Sequence, residues 1–359
     1  MTHDSKTLDW LLELADPGVR YLALRDLLRL PADDTDLRAA RTDAHTRGPI
    51  ARVLEGMHPE GWWEKPGTGY SPKYRSTVWA LILLGQLGAS AAENVRVDVA
   101  CRYYLDNALT PGGQLSAMAS GAPSGTADCL QGNMLRALLD LGCDDPRLDA
   151  AFEWMARSVT GEGVAPRGDK NAALRYYGGK CGPDFACGSN YGYPCAWGAV
   201  KVMMAFAALP PARRTPLIER AIQRGLEFLF SVELTSALWP AERYINPALA
   251  TYNTYGNPVP GDPGYKPSGN WWKFGFPVYY VTDLLQASEA LVGLGCAGDP
   301  RVQPLLAYIA SKRDADGRWA LEYDYAGKTW GSFGDKRQPN KWVTLRALRV
   351  LNVGVGSTQ

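Results

Sequence analysis

Apolar residues recur at spacings of three and four in "VRYLALRDLLRL", "STVWALILLGQLG", "ADCLQGNMLRALLDLG", "CAWGAVKVMMAFAALP", "YVTDLLQASEALVGLG" and "KWVTLRALRVLNVG". That period is the stripe of an α-helix, and most of these segments stop at Gly or Pro, which end helices. Between them lie more polar amphipathic stretches near residues 36 to 54, 92 to 107, 147 to 158, 213 to 231 and 301 to 312. With a weaker helix at 6 to 14 as the first outer one, the pattern predicts six pairs of a polar outer and an apolar inner helix.

The junctions repeat too. "ADPGVR", "CDDPRL" and "GDPRV" each put Asp then Pro at a helix start, where a carboxylate caps orphan N–H groups and Pro has none to leave unpaired. "LDLGCDDPR" and "VGLGCAGDPR" are near copies. Repeats of this kind predict a closed ring or a solenoid, with residues 1 to 359 as one all-α domain. The loops from outer to inner helix are long and rich in Gly and aromatics, whereas the return connections are short. Long loops are uncommon unless they act, so the face that carries them is where a site is expected.

Charge and composition exclude more than they assign. A net charge of +1 with no long basic run gives nothing to track a phosphate backbone, so no nucleic-acid partner is expected. No segment approaches the roughly 18 uncharged apolar residues of a membrane span. The polar start "MTHDSKTLDW" lacks the features of a signal peptide. These observations predict a cytoplasmic protein, in which seven cysteines are thiols or metal ligands rather than a disulfide framework.

"HPEGWW", "ADGRW" and the Gly-Gly or Gly-x-Trp before each inner helix resemble the repeats of the terpenoid cyclase and protein prenyltransferase superfamily, an (α/α)6 toroid. "YSPKYRSTVWAL", "DCLQGNMLRAL", "WWKFGFPVYYVTDLL" and "NKWVTLRALRVL" are similar to a bacterial prenyltransferase-like group with that fold. The resemblance runs from about residue 16 to 354. It departs from the family in two places. The Asp-x-Asp-Asp acid of squalene-type cyclases is missing, "ADDTDL" and "CDDPR" being the nearest strings. "YGYPCAWGAV" matches the Asp-x-Cys segment of the zinc-binding transferases only at its cysteine, with Tyr193 in place of Asp, and no His lies in the later repeats.

Such a toroid presents the N-terminal ends of its inner helices to a cavity mouth. Cys129 and Cys195 then open neighbouring inner helices, and Cys181 and Cys187 lie in the loop between them, in "KCGPDFACGSNYGYPC". Four thiols meeting there suit tetrahedral zinc, with sulfur at about 2.3 Å. The alternative is thiols packed as small hydrophobes, or an incidental disulfide. Asp184 can replace one thiol and leave a position for water. Cys101, Cys143 and Cys296 read as core packing, and His58 as a loop residue.

Lys73 and Arg75 in "YSPKYR", beside Tyr74, and Lys341 and Arg346 in "NKWVTLR" are cations placed to meet an anion. Trp62, Trp63, Trp271, Trp272, Tyr279, Tyr280 and Trp342 cluster toward the loop face, which predicts an aromatic-lined cavity for a small organic substrate, anionic or apolar. The first reading is therefore a Zn2+-dependent hydrolase in which metal-activated water attacks an ester or phosphoester, with Asp128 or Asp184 as proton acceptor and no obligate second subunit. The alternatives are an isoprenoid transferase or terpenoid cyclase-like enzyme, and a non-catalytic lipid or peptide binder braced by a structural zinc.

Overall fold

A computed structural model describes residues 5 to 245, 258 to 262 and 264 to 353. Parts of the long loop "LWPAERYINPALATYNTYGNPVPGDPGYKPSGNWWKFGF", and residue 354, fall outside the described residues. The helices are α1 (Ser5–Leu11), α2 (Pro17–Asp26), α3 (Thr35–Thr46), α4 (Pro49–Glu55), α5 (Thr77–Leu87), α6 (Val95–Ala108), α7 (Asp128–Asp140), α8 (Arg147–Thr160), α9 (Ala196–Ala208), α10 (Pro216–Leu229), α11 (Leu284–Gly293), α12 (Gln303–Ser311) and α13 (Lys341–Val353). The protein is all-α, with only isolated β-bridges among the described residues.

The two helix types occupy two layers. α2, α5, α7, α9, α11 and α13 are the apolar ones, and they pack in chain order from α5 through α13, with α13 returning onto α2. The gap between α2 and α5 closes at Gly88, where an added Cβ would lie 2.7 Å from Leu22. α6, α8, α10 and α12 lie against these with one buried face each. On α10 that face is Leu217, Ile218, Ala221, Ile222, Gly225, Phe228 and Leu229, the three-and-four spacing of a surface helix. Inner helices approach closely where glycine allows it: a Cβ on Gly132 of α7 would lie 2.5 Å from the Val202 nitrogen of α9. One apolar core cluster extends from Leu11 to Val350.

Two local expectations need correction. The outer stretch at 36 to 54 is two helices, broken at Gly48, whose φ of +79° suits glycine, and restarted by Pro49. The three Asp-Pro junctions differ. Asp145 and Asp299 each accept an N–H two residues on, from Arg147 at 2.9 Å and Arg301 at 2.8 Å. Asp16 makes no cap and instead accepts from the Lys341 ammonium at 2.5 Å.

The Gly-x-Trp repeat has a structural cause. Trp63 donates its indole N–H to the Val53 carbonyl at 2.7 Å, and its backbone N–H goes to Thr77 Oγ1 at 3.2 Å. Trp319 does the same, with Ile309 at 2.7 Å and Thr344 at 2.9 Å. Both indoles are buried and pin the end of an outer helix to the start of an inner one. Trp63 is therefore core and does not line a cavity.

Candidate functional site

Beneath the long loops, at the N-terminal ends of α7 and α9, lies a cavity of about 720 Å³, within the size range of small-molecule sites. Its aromatic wall comes from Tyr70, Trp197, Trp239, Tyr265, Trp271 and Tyr280. Trp239 and Trp271 meet edge to face at 5.0 Å, and Tyr280 donates its hydroxyl to Tyr70 at 2.5 Å. At the rim the exposed Lys73 ammonium lies 5.9 Å from the Tyr70 ring and 5.6 Å from that of Tyr280, close enough for a cation–π contact.

One acid borders this cavity. Asp128, the first residue of α7, is 4% exposed. Its Oδ1 accepts from Ser158 Oγ of α8 at 3.0 Å, whereas its Oδ2 is buried with no hydrogen-bond partner among the described residues. Burial, followed by the nearby Cys187, pushes the carboxyl well above the usual carboxylate range, against smaller opposing contributions from Ser158 and the Gly182 N–H. Burial thus favours the protonated form of Asp128. Gly198 leaves room in front of it, since an added Cβ there would lie 3.7 Å from the Asp128 Cβ and 3.9 Å from the Cys195 Cβ.

Three of the four expected thiols line the same cavity, Cys129, Cys187 and Cys195. The hairpin that carries two of them is fixed by backbone bonds, Cys187 N–H to the Tyr193 carbonyl at 3.1 Å and Cys195 N–H to that of Phe185 at 3.0 Å. The Cys195 thiol, with the Ser189 and Asn190 N–H groups, brings the Cys187 thiol down to about 6. Cys195 is pushed up in turn by its bond to that sulfur and by burial. The pair thus favours the thiolate at Cys187, with Cys195 as its donor. Cys181 turns away, packing with Trp154 and Tyr176 under α8. Among the described residues no three His, Cys, Asp or Glu side chains are arranged to hold a metal ion. The arrangement of these side chains therefore lends no support to the expected zinc or to hydrolysis by metal-bound water.

The remaining expected residues sit elsewhere. Asp184 pairs with Arg224 of α10 at 2.6 Å and does not line the cavity. Trp62 stacks on His58 at 4.1 Å, and Trp272 donates to the Thr235 carbonyl at 2.9 Å. Tyr74 packs among Trp79, Tyr279 and Tyr325. Arg75 pairs with Glu64 at 2.8 Å and lies over Trp330. Lys341 is held by Glu13 and Asp16, and Trp342 stacks on Phe276 at 4.6 Å. Each is committed to a neighbour within the fold, which is why none reaches the cavity. Cys101 and Cys143 are buried, as expected, and bond thiol to thiol.

Sequence reasoning missed Tyr70, Trp197, Trp239, Tyr265 and Ser158. Ser158 left a trace, a hydroxyl on the buried face of α8 beside Met155 and Val159. Also unanticipated is Lys201 of α9, 1% exposed, whose ammonium donates to Gln286 Oε1 at 2.5 Å and is brought by burial down to about 7.

No helix among the described residues is long and apolar enough to cross a membrane. No family model matches the chain, and no curated protein does. Solved structures similar to it include a protein from Actinoplanes, at 13% identity over 98% of both chains with a TM-score of 0.44. The type II terpene cyclase MstE from Scytonema is similar at 14% identity over 87% of this chain and 96% of that one, TM-score 0.28. A variant of that cyclase in complex with geranylgeranyl dihydroxybenzoate is similar at 12% identity over 88% and 96%, TM-score 0.32. At these identities and TM-scores the likenesses assign no reaction or ligand to this chain.

Proposed function

We propose that the chain is an isoprenoid cyclase-like enzyme that protonates a carbon–carbon double bond of an apolar polyene in the aromatic cavity. The observation that carries this reading is Asp128, a buried acid held toward its protonated form, with one unbonded oxygen, at the edge of a cavity walled by indoles and phenols. In the proposed step the Asp128 proton forms a new C–H bond as the π bond breaks, leaving a carbocation on the substrate. A second double bond closes a ring onto that cation. Loss of a proton to the Asp128 carboxylate then ends the cycle with the acid restored. Tyr and Trp faces stabilise cations by about 0.5–2 kcal/mol each, more when desolvated. Ser158 holds the carboxyl in place, and the Cys187 thiolate beside it disfavours a second negative charge, which keeps the proton on Asp128 between turnovers. Lys73 at the rim suits a substrate with an anionic or phenolic end.

The test is incubation with polyprenyl alcohols, polyprenyl diphosphates and prenylated phenols, followed by mass-spectrometric search for cyclised isomers. Asp128→Asn should abolish isomer formation while tryptophan-fluorescence titration still reports binding. Cyclised product at the wild-type rate from Asp128→Asn would remove the proposal, as would failure of the wild-type protein to bind or convert any of the three classes.

A further inference from the structure

The inner helices enclose a second cavity, of about 500 Å³, with Phe276 and Val278 of the segment before α11 in its wall. Every inner helix reaches its wall from the C-terminal half, from Asp26 on α2 and Gly85 on α5 to Val350 on α13. Part of that wall is apolar, with Ile82, Phe276 and Val292. Elsewhere it carries guanidinium and carboxylate groups, with the amides of Gln86, Asn133 and Gln286. Arg346 is fully used: Nε and Nη2 go to Glu289 at 2.9 and 3.1 Å, and Nη1 goes to the Gly275 carbonyl at 2.7 Å and Asp283 at 3.2 Å.

The other three arginines are not. Arg25 holds Asp26 through Nε and Nη2 at 2.6 and 3.1 Å, and Arg349 reaches the same carboxylate through Nη2 alone. Arg136 gives Nε to Asp140 at 2.6 Å and only a long 3.5 Å contact to the Met204 carbonyl. Three guanidiniums thus share two carboxylates. The Nε of Arg349 is buried with no partner among the described residues. Glu289 acts favourably on the charges of Arg136 and Arg349, and Arg25 acts unfavourably on both. A buried guanidinium N–H without an acceptor, in a cavity wall shared with two more arginines, is the arrangement an oxyanion relieves.

We propose that this axial cavity is a second ligand site, which binds the phosphate or carboxylate group of a small molecule among Arg25, Arg136 and Arg349 and packs its apolar part against Ile82, Phe276 and Val292. The site is independent of the aromatic cavity and of any reaction there. A purely structural role would have these cations only offset the C-terminal ends of the inner helices; it predicts lost stability on their removal and no ligand.

Calorimetric titration of the full chain with inorganic pyrophosphate and with citrate, at low ionic strength, separates the two. Saturable one-to-one binding of pyrophosphate assigns a phosphate, and of citrate a carboxylate. Arg136→Gln and Arg349→Gln should each weaken that binding roughly tenfold or more, since each removes a charge-assisted donor. Arg136→Lys keeps the charge and loses the fork, so it should weaken binding as well, and it serves if the glutamine variants do not fold. No saturable binding of either anion, or affinities unchanged in Arg136→Lys and in the glutamine variants that fold, would overturn the proposal.

Discussion

If Asp128 holds its proton in the folded protein, stability must carry a pH dependence that Asp128→Asn removes. The unfolded carboxyl ionises near 3.9, whereas the folded one, 4% exposed and beside Cys187, ionises well above that range. Between those two values the folded state binds one proton more than the unfolded state. Stability then falls with rising pH by about 1.4 kcal/mol per unit. The contribution is complete below the unfolded value and is lost as pH rises toward the folded one. As pH rises from 5 the wild-type chain should lose stability relative to Asp128→Asn, by up to about 1.4 kcal/mol per unit until the folded carboxyl ionises. The asparagine oxygen can still accept from Ser158, so any loss of packing adds a constant and leaves the slope untouched. Urea unfolding of both proteins at pH 5, 6 and 7 measures the difference directly. Parallel stabilities across the three pH values would mean that Asp128 is ionised in the folded protein, and the proton-donor role would go with it.

Three further outcomes are expected. Cys187, near 6, should react with iodoacetamide at pH 6.5 roughly tenfold faster than an ordinary thiol, because its far larger thiolate fraction is partly offset by weaker nucleophilicity; Cys195→Ala should erase that advantage, and peptide mapping that finds Cys101 or Cys181 labelled first would contradict the assignment. Gly132→Ala places a methyl 2.5 Å from the Val202 nitrogen, where backbone cannot give way as a side chain can, so α7 and α9 must part. The expected loss is about 3 kcal/mol in chemical denaturation, and a loss below about 1 kcal/mol would mean the helices sit further apart than described. Trp63→Ala and Trp319→Ala should each cost about 3–5 kcal/mol as fully buried anchors, whereas Trp62→Ala, half-exposed and stacked on His58, should cost under about 1 kcal/mol; equal melting temperatures for the Trp62 and Trp63 variants would refute the anchor.

The alternation of helix types was legible because burial writes its period into the sequence: α10 shows its buried face as plainly as α5 shows burial all round. The placement of Asp128 and Cys195 followed from their positions at helix starts. What misled was repetition. Gly-x-Trp recurs before inner helices because each repeat needs the same indole anchor, so Trp63 signalled construction of the ring rather than contact with a substrate. Cysteine spacing carried no information on direction, and Cys181 faces Trp154 while its neighbours in sequence face the cavity. The axial cavity left no trace at all, because Arg25, Arg136 and Arg349 converge from helices far apart along the chain and each reads locally as an ordinary polar position on an inner helix.

The return of α13 onto α2 fixes when the molecule can become whole. As a chain leaves the ribosome, α2 is made long before α13, yet each covers apolar surface of the other; a Cβ added to Gly18 would lie 3.0 Å from the Trp342 ring. Every intermediate short of the last helix exposes both open ends of the ring, at α2 and at α11. Such long-range closure is slow and leaves sticky surfaces in the meantime. A message truncated just before residue 341 would therefore yield α1 through α12 and none of the closure, a product for the cell's quality control rather than a shorter working version.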